Sequence, residues 1–241
     1  MSSVGELSVT EELSGELRGA RAADPKNYPA TLYSASAGGS CTSTLVGQQV
    51  LLTAAHCVSN GGVATFRLGG KPYRAVCEHA SEYTANPTVD YALCAIDKPI
   101  PALRFERVNA DPARIVKDAS LLLTGFGCTK DNGTGGNDGV LREGEAQVVG
   151  LPSGDNNDIE TKGKVGLCFG DSGGPAFAVA GARRWQVSVN SRVSKIDQTT
   201  LGDRSFLSST STPMALAFLR DWSKRNGKAI CGLDPAAVSC R

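Results

Sequence analysis

Three short segments concentrate the side chains able to do chemistry. Leu52-Thr53-Ala54-Ala55-His56-Cys57 offers an imidazole, Asp90-Tyr91-Ala92-Leu93-Cys94 a carboxylate, and Gly170-Asp171-Ser172-Gly173-Gly174-Pro175 a hydroxyl inside a glycine-rich turn. A serine hydroxyl becomes a strong nucleophile only when a base takes its proton and a third group orients that base. The oxyanion that then develops needs backbone N–H donors. Together the three segments supply every part of acyl transfer at a peptide carbonyl. Singly each says little: a histidine after a strand is usually structural, and Asp commonly punctuates strand starts.

The order of the three decides between two chemistries. Gly170 to Gly174 also fits the G-x-S-x-G elbow of α/β-hydrolases, whose nucleophile precedes its acid and its histidine along the chain. Here the order is His56, Asp90, Ser172, which excludes that arrangement. The ungapped TAAHC, the Asp90 segment and GDSGGP resemble the chymotrypsin/trypsin family, in outline from about residue 17 to 226. The resemblance implies a serine endopeptidase in which His56 is general base and then general acid, Asp90 orients His56, and Ser172 is the nucleophile. It places the oxyanion hole at the backbone N–H groups of Gly170 and Ser172, and it pairs Cys41 with Cys57.

The elements that must position these groups are short. Apolar or alternating runs lie at 30–33, 42–46, 50–54, 63–68, 73–76, 91–96, 120–124, 145–149, 175–179 and 185–189, with glycine between many of them. Such spacing argues for antiparallel barrels or sandwiches. Residues 98–117, with weak periodicity and prolines, read as a crossover between two strand-rich halves. One helix is predicted: Thr212 as cap, Pro213 in the first turn, Met214, Leu216, Phe218, Leu219 and Trp222 as its apolar residues, and Gly227 beyond the end. With the resemblance, the expected fold is all-β, two six-stranded antiparallel barrels (17–115 and 116–241) and a C-terminal helix. Residues 1–24, acidic and poor in apolar side chains, read as a flexible leader, with 1–16 a propeptide.

The 25 basic and 24 acidic residues leave a net charge of +1, so no field favours nucleic acid or an anionic membrane. No run of 18 apolar residues spans a bilayer. Eight cysteines (Cys41, Cys57, Cys77, Cys94, Cys128, Cys168, Cys231, Cys240), with no CxxC and two histidines, point away from zinc and toward disulfides, hence toward a secreted or periplasmic setting. Met1–Thr10 lacks the basic start and apolar stretch of an export signal. Cys77 and Cys94 read as hairpin neighbours, Cys231 and Cys240 enclose a short tail, and Cys128 is left to reach Cys168, among on the order of a hundred connectivities. No metal or organic cofactor is expected. The partners are a polypeptide substrate and an activating protease, for a monomer. A catalytically silent binding module and a cytoplasmic regulatory protease are the alternatives.

The resemblance also implies a zymogen whose freed N-terminus pairs with Asp171. Alignment on Tyr28-Pro29 puts Leu17 at the new terminus, after cleavage at Glu16, with Arg18 and Arg21 as other cleavage points. The substrate-binding positions it implies are Gly166, Leu167, Ser191, Arg192 and Val193. Gly166 stands where the trypsin branch has Asp, so a small-to-medium apolar side chain is expected, while Asp197 and Asp203 leave a basic preference open.

Overall fold

A computed structural model of the chain describes residues 17–101, 103–135 and 138–241. The proposed propeptide, 1–16, lies outside them. Thirteen strands and one helix follow: β1 (Arg21–Ala22), β2 (Thr31–Ser36), β3 (Gly39–Gly47), β4 (Val50–Thr53), β5 (Val63–Leu68), β6 (Lys71–His79), β7 (Ala92–Ile96), β8 (Ser120–Gly125), β9 (Arg142–Gly150), β10 (Asp158–Lys162), β11 (Pro175–Ala180), β12 (Arg183–Lys195), β13 (Leu201–Ser209) and α1 (Pro213–Asn226).

The strands close into two antiparallel six-stranded barrels, as expected. The first runs β2-β3-β4-β7-β6-β5 and closes through β2 with β5. The second runs β9-β10-β13-β12-β11-β8 and closes through β8 with β9, with β1 added against β9. Closure removes the unpaired edges that would recruit other chains. Turn chemistry fixes the registers. Leu68 faces Lys71 across a two-residue loop of Gly69 and Gly70, both at positive φ (55° and 77°), which is the turn whose twist matches a hairpin.

Each barrel is filled by the inward residue of every pair. Leu32, Leu45, Phe66, Tyr73 and Ile96 fill the first, and Leu121, Leu123, Val148, Ile159 and Leu207 the second. β4 is buried throughout because it has two apolar neighbours: Leu51 faces the barrel interior, while Val50 and Leu52 join a cluster with Val189 and the helix residues Ala215, Leu219 and Trp222. Burying a side chain of that size is worth about 1.5–3 kcal/mol, so α1 is held by its face. Thr212 accepts from the Ala215 N–H, Pro213 sits in the first turn, and Gly227 ends α1 at φ 60°.

Two expectations are corrected. Residues 17–24 are not a loose leader: Leu17 is fully buried in the second barrel, with Ala20 and Ala23 nearly so. β1, β10 and β13 were not expected either. β10 and β13 carry Asp158, Glu160, Asp203 and several serines, so their alternation is of small polar residues against a few apolar ones. The crossover holds its place through Asn109, whose N–H donates to the Gln186 carbonyl at 2.8 Å.

The eight cysteines form four disulfides: Cys41–Cys57, Cys77–Cys94, Cys128–Cys168 and Cys231–Cys240. Cys77 and Cys94 stand directly opposite in the β6–β7 register.

Candidate active site

His56 lies in a 3₁₀ turn (Ala55–Cys57) that follows β4, and the Cys57 disulfide ties that turn to β3. Asp90 directly precedes the β7 region and is 2 % exposed. Its carboxylate collects three donors: the His56 Nδ1 at 2.6 Å and the His56 N–H at 2.9 Å, both from the turn, and the Ser191 Oγ at 2.6 Å from β12. Burial by itself would raise the Asp90 pKa, but the His56 and Ser191 contacts outweigh it and hold the carboxyl below the usual range. A buried carboxylate in that state fixes the imidazole with Nε2 outward.

Ser172 lies on the turn before β11. Its neighbours there are folded inward: the N–H of Asp171 donates to Cys168 O (3.1 Å), that of Gly173 to Asn190 O (2.8 Å), and that of Gly174 to Asp171 O (2.9 Å). Among the described residues no group accepts from the amides of Gly170 or Ser172, and Gly170 stands at φ 104°, which a side chain would resist. The Ser172 hydroxyl donates to Ser191 O at 3.5 Å.

This turn is gripped from the other barrel by one residue that the motifs did not single out. Thr42, on β3 and fully buried, donates its N–H to Ser172 O and its Oγ1 to Gly170 O, both at 2.8 Å, and its Oγ1 accepts from the Phe126 N–H at 3.1 Å.

His56, Asp90 and Ser172 share one cleft of about 410 Å³ with Tyr83, Leu167, Phe169, Ser191, Arg192, Val193 and Lys195. Three of the sequence-predicted residues therefore meet there with most of the predicted substrate-binding positions. Gly166 does not line the cleft; a Cβ on it would lie 2.6 Å from Arg18 Nη2. Asp197 accepts from Thr199 and Thr200 within its own turn and Asp203 pairs with Lys162, so neither reaches the cleft. Ser191 does more than was expected of a substrate-binding position, since its hydroxyl is spent on Asp90. A larger groove of about 660 Å³ under α1, lined by Ile115, Leu151 and Leu216 among others, shares no residue with the cleft.

A comparison with protein-family models matches residues 17–202 to the family described as Trypsin. The chain belongs to the trypsin family. A search of curated proteins returns no match. The trypsin family is a family of serine proteases, and two buried groups stand beside the cleft.

The first is Asp171, fully buried, whose carboxylate accepts from Gly127 N at 2.8 Å and Cys168 N at 2.9 Å. Burial pushes its pKa up to about 7, against the pull of those two amides and of Arg142 and Arg18. The second is Arg18, 9 % exposed, bonded through its guanidinium to Leu167 O (3.4 Å), Leu201 O (3.2 Å), Gly202 O and Asp131 (3.3 Å). Cys41, His56 and Cys57 are close enough together to suggest a metal cluster, but both sulfurs are in one disulfide.

Proposed function

We propose that this chain is a serine endopeptidase in which Ser172, His56 and Asp90 carry peptide hydrolysis through an acyl-enzyme. The observation that carries the reading is the His56 Nδ1–Asp90 contact of 2.6 Å, reinforced by the Ser191 hydroxyl, in the same cleft as Ser172. His56 Nε2 takes the Ser172 proton as Oγ attacks the carbonyl carbon. Asp90, already ionised, stabilises the imidazolium without taking the proton. The tetrahedral oxyanion receives the free amides of Gly170 and Ser172, each such donor being worth about 2.7–4 kcal/mol. Collapse expels the amine with a proton from His56, and water repeats the sequence on the ester.

Activation by cleavage after Glu16 is part of the proposal. The new α-ammonium of Leu17 would pair with Asp171, and a buried carboxyl poised near pH 7 is converted to its ionised form by one adjacent cation. Cleavage after Arg18 would forfeit that residue's buried bonds, and Arg21 lies in β1 with its backbone paired to β9, which favours Glu16 over both. Residues 17–115 and 116–241 would then form one monomeric peptidase unit, with 1–16 its propeptide. Four disulfides fit an oxidising compartment, secreted or periplasmic. The partners would be a polypeptide substrate and an activating protease, with no role for nucleic acid, membrane, metal or organic cofactor.

Labelling by a fluorophosphonate probe tests this on the intact chain, on protein beginning at Leu17, and on Ser172→Ala. The trimmed protein should label at Ser172 and the alanine variant should not. A folded, trimmed protein that stays unlabelled would instead make the chain a binding module on a peptidase fold.

A further inference from the structure

Among the described titratable side chains that line the cleft, the only carboxylate is Asp90, and it is already committed to His56 and Ser191. The two cations differ in what they have left to give. Arg192 is held by Asp158, by Pro87 O at 3.2 Å and by the Ser191 hydroxyl at 3.3 Å. Lys195 has no carboxylate partner among the described residues. Its ammonium stands 5.9 Å from the centroid of the Phe169 ring, so it reaches from β12 toward the segment that leads into Ser172, and both residues line the cleft. The carboxylates nearby are taken: Asp158 by Arg192, Asp131 by Arg18, Asp203 by Lys162, and Asp197 by the amides of its own turn. Leu167 and Val193 give the cleft part of its apolar lining, and Val193 packs against the Cys128–Cys168 disulfide and Leu201. A further cation, Arg18, stands against Gly166.

We infer that this cleft selects a peptide whose residue on the acyl side of the scissile bond is acidic, glutamate above all, with Lys195 as the specificity-determining cation. Two methylenes of a glutamate would lie on Leu167 and Val193 while its carboxylate meets the Lys195 ammonium. A lysine or arginine there would bring like charge to a site with no free carboxylate among the described residues. The inference rests on the proposed peptidase reading for its catalytic test, and a binding test keeps it separate.

Acetylated tetrapeptide amides identical but for a last residue of Glu, Gln, Ala or Lys are the probes. A partly exposed ion pair discriminates by up to about fivefold, so trimmed wild type should cleave the Glu peptide about fivefold faster than Gln, in kcat/KM, and disfavour Lys. Lys195→Met should erase the Glu-over-Gln ratio and Lys195→Arg should keep it. About 1 M salt should compress it, since screening then acts within roughly 3 Å. Ser172→Ala protein should show the same order in peptide binding, with no turnover required. Equal handling of Glu and Gln by both wild type and Ser172→Ala, preference for Lys, or a ratio unchanged in Lys195→Met would each overturn the inference. Failure of fluorophosphonate labelling with the binding order intact would sink the peptidase reading alone.

Discussion

Replacing Thr42 with Val tests how one barrel holds the chemistry of the other. The substitution keeps shape and β-branching but deletes Oγ1, which gives Gly170 O a donor at 2.8 Å and takes the Phe126 N–H at 3.1 Å. Both partners are left unsatisfied beside a fully buried residue, at about 1–3 kcal/mol each. A total near 2–4 kcal/mol is expected, allowing for partial relaxation, and in a chain of this size each kcal/mol lowers Tm by about 2–4 °C. The kinetic effect should be larger than the stability loss implies. Gly170 at φ 104° has the freedom to turn its amide away once its carbonyl is released, and loss of one oxyanion donor costs about 10²–10³ in kcat. We expect trimmed Thr42→Val to lose at least about tenfold in kcat with KM little changed, and Thr42→Ser to restore most of it. Stopped-flow acylation below the Tm of the variant measures this directly. A folded Thr42→Val with kcat within about threefold of wild type would refute the idea that Thr42 sets the Gly170 amide.

Asp171 makes the intact chain sensitive to pH. Its folded pKa, about 7, lies above the usual 3.8, so between those values the folded state holds a proton that the unfolded state has lost; stability is full below about pH 4 and falls as pH rises to about 7. Three units correspond to about 4 kcal/mol, read as a Tm decline across that window that Asp171→Asn removes and that trimming to Leu17 reduces. Asp158, raised to about 6 mainly by burial, adds a decline of the same sign, so the Asn variant is the proper reference; no difference between it and wild type would discount a buried acid at Asp171. Asp90→Asn should keep the fold and lower kcat by about four orders of magnitude, and activity within tenfold of wild type in active-site-titrated protein would remove Asp90 from the mechanism. Replacing both Cys128 and Cys168 with Ser should cost about 4 kcal/mol from loop entropy against about 3 for Cys231 and Cys240. Urea unfolding checks the order, and only the first pair should also alter peptide selectivity, because Val193 packs on it.

The candidate catalytic groups were legible in the sequence because chemistry restricts residue type: imidazole, carboxylate and hydroxyl can each be read one letter at a time. So was α1, whose cap, proline and terminal glycine are local signals. What holds the site was not legible, and for a common reason. Thr42, Ser191 and Arg18 act through partners roughly a hundred or more positions away in the chain (Gly170, Asp90 and Leu167), and only barrel closure brings those partners near. The same holds for β10 and β13, whose serines and charges hide a strand until Ser208 is seen donating to Thr88 O and accepting from the Asp90 N–H. A polar strand passing behind Asp90 gives its backbone N–H an acceptor, which an apolar strand would leave unsatisfied beside the buried site. The serines that weaken strand prediction in β13 therefore seat the Asp90 backbone, while the second barrel's donor to its carboxylate is Ser191 on β12.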